Sequence, residues 1–144
     1  MKRVIAIDGP SGAGKSTLAK RIAANLRFDY LDTGALYRAL GIKLRRAGLD
    51  EAAADSAIEE VLQGTDIIFE RGRVLLDGED VSEEIRTAEA SHYASVFSAR
   101  ESVRSYLLDM QRRVAEKADL VAEGRDMTTV VFPGAYRKFY LDAS

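Results

Sequence analysis

Gly9-Pro10-Ser11-Gly12-Ala13-Gly14-Lys15-Ser16 decides the reading of the fold. The stretch satisfies G-x-x-x-x-G-K-[ST] in full, and what flanks it gives the motif its meaning. Before it, Arg3 to Asp8 is a short apolar run ending in a glycine-rich turn, which reads as a buried strand. After it, Leu18, Ile22 and Leu26 recur every four residues with Ala19 and Ala23 beside them, so Lys15 to Leu26 reads as a helix with one apolar face. Glycines let the backbone curl until successive N–H groups point at phosphate oxygens, and the helix start adds the positive end of its dipole. Lys15 then reaches the β- and γ-phosphates, and Ser16 offers a hydroxyl to Mg2+. The ligand implied is a nucleoside triphosphate, held by the loop together with Thr17.

Outward from the loop, strands and helices alternate. Phe28 to Leu31 fits a second strand. Ala35 to Arg46 fits a helix ending at Gly48, with Arg45 and Arg46 in its last turn. Asp50 is placed to cap a third helix, whose apolar face is Ala54, Ala57, Ile58 and Val61. The period then changes: Asp66 to Glu70, Arg73 to Leu76 and Glu79 to Val81 read as short strands, and Asp77-Gly78 is a hairpin signal. This predicts a small antiparallel insert between helices. Helical pattern returns near Ser82, and Ser98-Ala99-Arg100-Glu101 has the S-x-x-E form of a capping box before a helix with the stripe Val103, Leu107, Met110, Val114. Leu120 to Ala122 and Lys138 to Leu141 complete the strands. Strands separated by helices predict an α/β fold with a mainly parallel sheet covered by helices.

Composition narrows the function classes. The 144 residues are 47% apolar and 31% charged, those of one ordinary folded domain. With no cysteine there is no disulfide framework. Neither a secretory h-region nor a membrane-length apolar run is present, so a cytoplasmic protein without membrane partners is expected. The net charge of −2 conceals a segregation: residues 1–50 carry 10 basic and 4 acidic side chains, 51–90 carry 3 and 12, and 91–144 carry 8 and 7. The first third suits phosphate, whereas a pI near 5.5 argues against a nucleic-acid partner. A GTPase switch would need N-K-x-D and D-x-x-G, and neither occurs. Motor and transporter ATPases need longer chains with a signature loop. A small-molecule kinase remains.

Two further segments carry a resemblance. Asp32-Thr33-Gly34-Ala35-Leu36-Tyr37-Arg38 and Glu123-Gly124-Arg125-Asp126-Met127-Thr128-Thr129-Val130-Val131-Phe132-Pro133, with the glycine loop before them, make the whole chain resemble the bacterial cytidylate kinases. The segments Gly78 to Val81 and Glu84 to Thr87 belong to the same likeness. The resemblance implies the P-loop nucleoside monophosphate kinase fold: three layers, a parallel sheet ordered 2-3-1-4-5 whose last strand lies outside this chain, and the small antiparallel insert. It implies one kinase core over residues 1–144, a monophosphate-binding region about 33–118, and an insert about 65–82. The activity implied is transfer of the γ-phosphoryl of ATP to CMP or dCMP, with Mg2+. By family position Lys15, Arg38 and Arg125 are the catalytic cations, Arg38 and Arg125 also gripping the CMP phosphate. Tyr37 packs or hydrogen-bonds in that pocket, Thr33 contacts the nucleotide, and Ser95, Arg104 and Asp126 read the base. Glu123 holds Mg2+ through water. Two other readings stay open, a non-catalytic nucleotide-binding fragment and a kinase of another small acceptor.

Two departures from the family pattern stand out. Thr128 occupies a position where the resemblance leads one to expect glycine, so either the backbone is strained there or the loop runs differently. Relatives also continue past the position of Ser144 with an arginine-bearing lid, a last strand and a helix touching CMP. The expectation drawn from this is an open sheet edge, with dimer formation, segment swapping or poor stability in isolation, and nucleotide binding with slow turnover or none.

Overall fold

Val4–Asp8 forms β1, buried along its whole length. It lies inside a parallel sheet, where a strand covered on both faces reads as a continuous apolar run. The computed structural model describes residues 2–10, 14–70 and 72–142. They divide into two units, Met1–Thr33 with Asp109–Ser144, and Gly34–Leu108.

The first unit is built on four parallel strands in the order β2-β6-β1-β7, with β2 at Asp29–Asp32, β6 at Leu120–Gly124 and β7 at Arg137–Tyr140. Counted within this sheet alone the order is 2-3-1-4, in line with the α/β parallel fold expected. Strand β2 starts one residue later than the pattern suggested. Helix α1, Lys15–Leu26, follows the glycine loop. Its Ala19 and Ala23 pack on Ile5, Ile7 and Val121. Small residues bring the helix close to the sheet, and in consequence Leu26, expected on the apolar face, is half exposed. Among the described residues strand β7 pairs only with β1, and all four of its residues are exposed.

Strand alternation sorts the site. Glu123 lies two residues on from Val121 and is in register with Ile7 and Asp32, so all three share the α1 face. Asp8 and Gly124, in register with each other, face the opposite side.

The second unit holds helix α2 (Thr33–Arg46) from its second residue onward, α3 (Asp55–Gln63), α4 (Ala88–Phe97) and the first half of α5 (Glu101–Lys117). It also holds the antiparallel sheet β3 (Ile67–Glu70), β4 (Arg73–Leu76), β5 (Glu79–Asp80). Asp77 and Gly78 both have positive φ, 50° and 85°, the signature of a type I′ hairpin turn. The basic end of α2 meets acids of the insert and of the segment that leads into α4: Lys43 pairs with Asp77, Arg46 with Glu79 and Glu84, and Arg45 with Glu84 and Glu89. The hydrogen bond from Lys43, backed by the Asp66 N–H, holds the Asp77 carboxyl below the usual carboxylate range.

Two expected caps are corrected here. Asp50 accepts from Ala52 N at 2.8 Å in a local turn, and α3 begins only at Asp55 after Ala54. Ile58 and Leu62 are its buried residues, and Ala54 is exposed. Ser98 has helical backbone angles and closes α4, its N–H donating to Ala94 O. Arg100 instead precedes α5, with its guanidinium on Asp55, Glu51 O and Ala53 O. A capping box needs an extended N-cap residue, and the turn out of α4 leaves Ser98 no such freedom.

Candidate functional site

The loops after β1 and β6 leave the carboxyl end of the parallel sheet, the usual ligand edge of an open α/β sheet. Ser11, Gly12 and Ala13 lie outside the described residues. Gly9 has φ +152°, and a Cβ on it would sit 2.1 Å from Leu141 O. Gly14, with φ +88°, precedes α1 in the left-handed region. Lys15 is half-buried, its Nζ 3.4 Å from Pro10 O, and Ser16 and Thr17 follow in the exposed first turn.

Ser16 Oγ donates to Glu123 Oε1 at 2.9 Å. Glu123 is 4% exposed, and its Oε2, also buried, has no hydrogen-bond partner among the described residues. Burial pushes its carboxyl above the ordinary value and the nearby Asp32 carboxylate adds to the rise, while Ser16, Lys15 and Lys20 oppose it. Hard oxygens of this kind, a hydroxyl and an unsatisfied carboxylate oxygen beside a second acid, fit Mg2+, which takes few protein ligands and completes its shell with water and phosphate.

This arrangement carries a stability prediction of definite sign. A carboxyl whose folded pKa is raised holds its proton in the folded state over a window where the unfolded chain, near 4.5, has lost it. Stability therefore falls as pH rises through that window and stays lowered above it. Glu123→Gln is expected to raise the melting temperature at pH 7 without Mg2+ by about 2–4 °C, roughly 1 kcal/mol at this size. Below about pH 4 the gain should vanish. Thermal scans at both pH values check this, and an equal gain at both would count against burial of the charge as the cause.

The loop after β6 carries Arg125 and Asp126, both exposed. Asp126 has φ +59°, and Met127–Val131 forms a single π turn behind it. The strain anticipated at Thr128 is absent: the left-handed residue is Asp126, and the Thr128 N–H and hydroxyl donate to Asp8 Oδ2 at 2.9 and 2.7 Å. Thr33 is buried, its hydroxyl donating to Gln111 Oε1 at 2.9 Å. A Cβ on Gly124 would stand 3.0 Å from Thr33 Cβ, so Gly124 permits this approach.

The structure thus brings Gly9, Pro10, Lys15, Ser16, Thr17 and Glu123 together within the first unit, with Arg125 and Asp126 one and two residues beyond β6. In the second unit Tyr37 and Arg38 are half-buried on α2, Ser95 is exposed on α4 with its hydroxyl on Ser91 O, and Arg104 is exposed on α5. Sequence reasoning missed Asp8, Asp32, Gln111 and Arg112. The available signals were an acid closing an apolar strand at Asp8, another closing β2 at Asp32, and a glutamine four residues after Leu107 on the α5 stripe.

Among the described residues no helix is long and apolar enough to cross a membrane. Residues 5–144 match the family described as cytidylate kinase. A cytidylate kinase of Thermodesulfovibrio yellowstonii is 54% identical over 148 residues, covering 100% of this chain and 67% of the relative. One from Geobacter sp. strain M21 is 49% identical, with 98% and 62% covered. One from Thermotoga maritima is 46% identical, with 97% and 64% covered. The chain thus spans 62 to 67% of the length of these relatives.

Proposed function

The chain belongs to the cytidylate kinase family, and from that footing we propose that it transfers the γ-phosphoryl of ATP to CMP or dCMP, releasing ADP and the nucleoside diphosphate. The observation that carries the proposal is the 2.9 Å contact of Ser16 Oγ with buried Glu123, whose second oxygen is unsatisfied, at the head of the helix that follows the glycine loop. Phosphoryl transfer between two anions asks for positioning and charge neutralisation rather than covalent help from the protein. Lys15 neutralises the β- and γ-phosphates, with Gly9, Gly14 and the start of α1 beneath them. Ser16 and, through water, Glu123 would hold Mg2+, which would screen the phosphate charge. Arg38 and Arg125 grip the acceptor phosphate, already ionised, so no general base is called for. Thr33, held by Gln111, stands against Gly124 at the start of α2, and Tyr37 packs or hydrogen-bonds in the acceptor pocket.

Base choice rests on Asp126 with Ser95 and Arg104. A carboxylate accepts from the cytosine amino group, whereas uracil presents a carbonyl at that place and is repelled. ADP formation measured with CMP, dCMP and UMP tests the proposal. It should depend on the acceptor and favour cytosine, and Asp126→Asn should cut the CMP-over-UMP preference at least about tenfold. ADP released equally with and without CMP would refute the reaction.

A further inference from the structure

The π turn behind Asp126 is held at its two ends by opposite charges that the reaction above does not use. Asp8, 6% exposed, accepts from Met127 N at 2.8 Å through Oδ1, and through Oδ2 from the Thr128 N–H and hydroxyl. At the other end Arg112 of α5 donates from Nε to Val131 O at 3.2 Å and from Nη2 to Val130 O at 2.9 Å. Between them the Val130 and Val131 N–H groups converge on Asp126 O at 2.9 and 3.0 Å, and Phe132 N reaches Met127 O at 2.8 Å. An anion on the open N–H groups and a cation on the open carbonyls complement the dipole of the turn and satisfy the groups that a helix end leaves bare.

Two features show that this clamp acts on the residues just ahead of it. Asp126 sits at φ +59°, a left-handed conformation that costs a non-glycine residue about 1–2 kcal/mol and persists only where its surroundings impose it. Its carbonyl is the acceptor of both Val130 and Val131, so the turn itself fixes the kink. Asp8, for its part, is an anion next to Gly9, at the base of a loop meant for phosphate, where a negative charge opposes the ligand. Its carboxylate is on the sheet face opposite Glu123, and its three hydrogen bonds go to residues 127 and 128.

The geometry points to Asp8, Arg112 and the Thr128 hydroxyl as positioning residues for substrate binding: they lock the π turn and thereby aim the exposed Arg125–Asp126 pair at CMP. This rests on the reading that the pair binds CMP. The Thr128 hydroxyl, at the position where glycine was expected, adds a third bond to Asp8 at its end of the clamp.

Calorimetric titration of CMP and, separately, of MgATP into the full chain tests the inference. Thr128→Val is isosteric and loses only the hydroxyl bond, Thr128→Ser restores it, and Arg112→Met keeps the side-chain stem. Thr128→Val and Arg112→Met should each weaken CMP binding about threefold to tenfold, with MgATP affinity within about twofold, and Thr128→Ser should match the parent chain. Equal losses for both ligands would reduce the clamp to a scaffold and overturn the inference. So would unchanged CMP affinity in Thr128→Val and Arg112→Met where Arg125→Gln weakens it. If Arg125→Gln also leaves CMP affinity unchanged, the reading of the pair as substrate ligands fails, and the inference falls with it.

Discussion

Replacing Gly9 with alanine is expected to destabilise the chain by about 3 kcal/mol or more and to abolish ATP binding. The added Cβ would stand 2.1 Å from Leu141 O. Leu141 N donates to Asp8 O at 2.8 Å and so binds the segment after β7 to the end of β1, which opposes withdrawal of that carbonyl. The loss is large against the total stability of a domain, about 5–15 kcal/mol, and denaturant melts read it directly. Gly14→Ala is the matched comparison. Its φ is +88°, but among the described residues a Cβ on it would meet only a side-chain atom, Leu141 Cδ2 at 4.0 Å, so left-handed strain of about 1–2 kcal/mol is expected. Equal losses at the two positions would show that the close approach of Leu141 is not the cause.

Lys15→Met should slow CMP-dependent ADP formation by about 10²–10³ while leaving the melting temperature nearly unchanged. Among the described residues the ammonium makes one long contact, to Pro10 O, so little folding energy depends on that contact, whereas the proposed reaction asks the ammonium to meet charge on the transferring phosphates. A rate within tenfold of the parent would remove Lys15 from the catalytic set.

What could be read from the sequence was what local chemistry decides. Helix α1 runs over Lys15–Leu26 as its period indicated, and the Asp77-Gly78 hairpin sits where its two left-handed residues demand. What escaped depends on partners remote in sequence. The periodicity of α1 marks Leu26 as apolar, but only the sheet beneath it decides that Ala19 and Ala23 are the contact. Gln111 breaks an apolar stripe and looks like a surface residue until Thr33, 78 positions away, supplies its bond. Asp8 reads as the end of a strand, and its partners lie 119 and 120 residues on. The glycine loop announced itself, and Glu123 came from resemblance. The residues that brace the Arg125–Asp126 loop were invisible until strand register put Asp8 and Glu123 on opposite faces.

The ion pairs between the end of α2 and the insert bear on what an approaching nucleotide feels. Counted along the chain, residues 51–90 hold an excess of nine negative charges, enough to repel an anion. Asp77, Glu79, Glu84 and Glu89 are spent on Lys43, Arg45 and Arg46, and Asp55 on Arg100. Each such pair presents a dipole to the distance, and the field of a dipole dies away faster than that of a lone charge. The far field of the insert is therefore weaker than its acid count suggests.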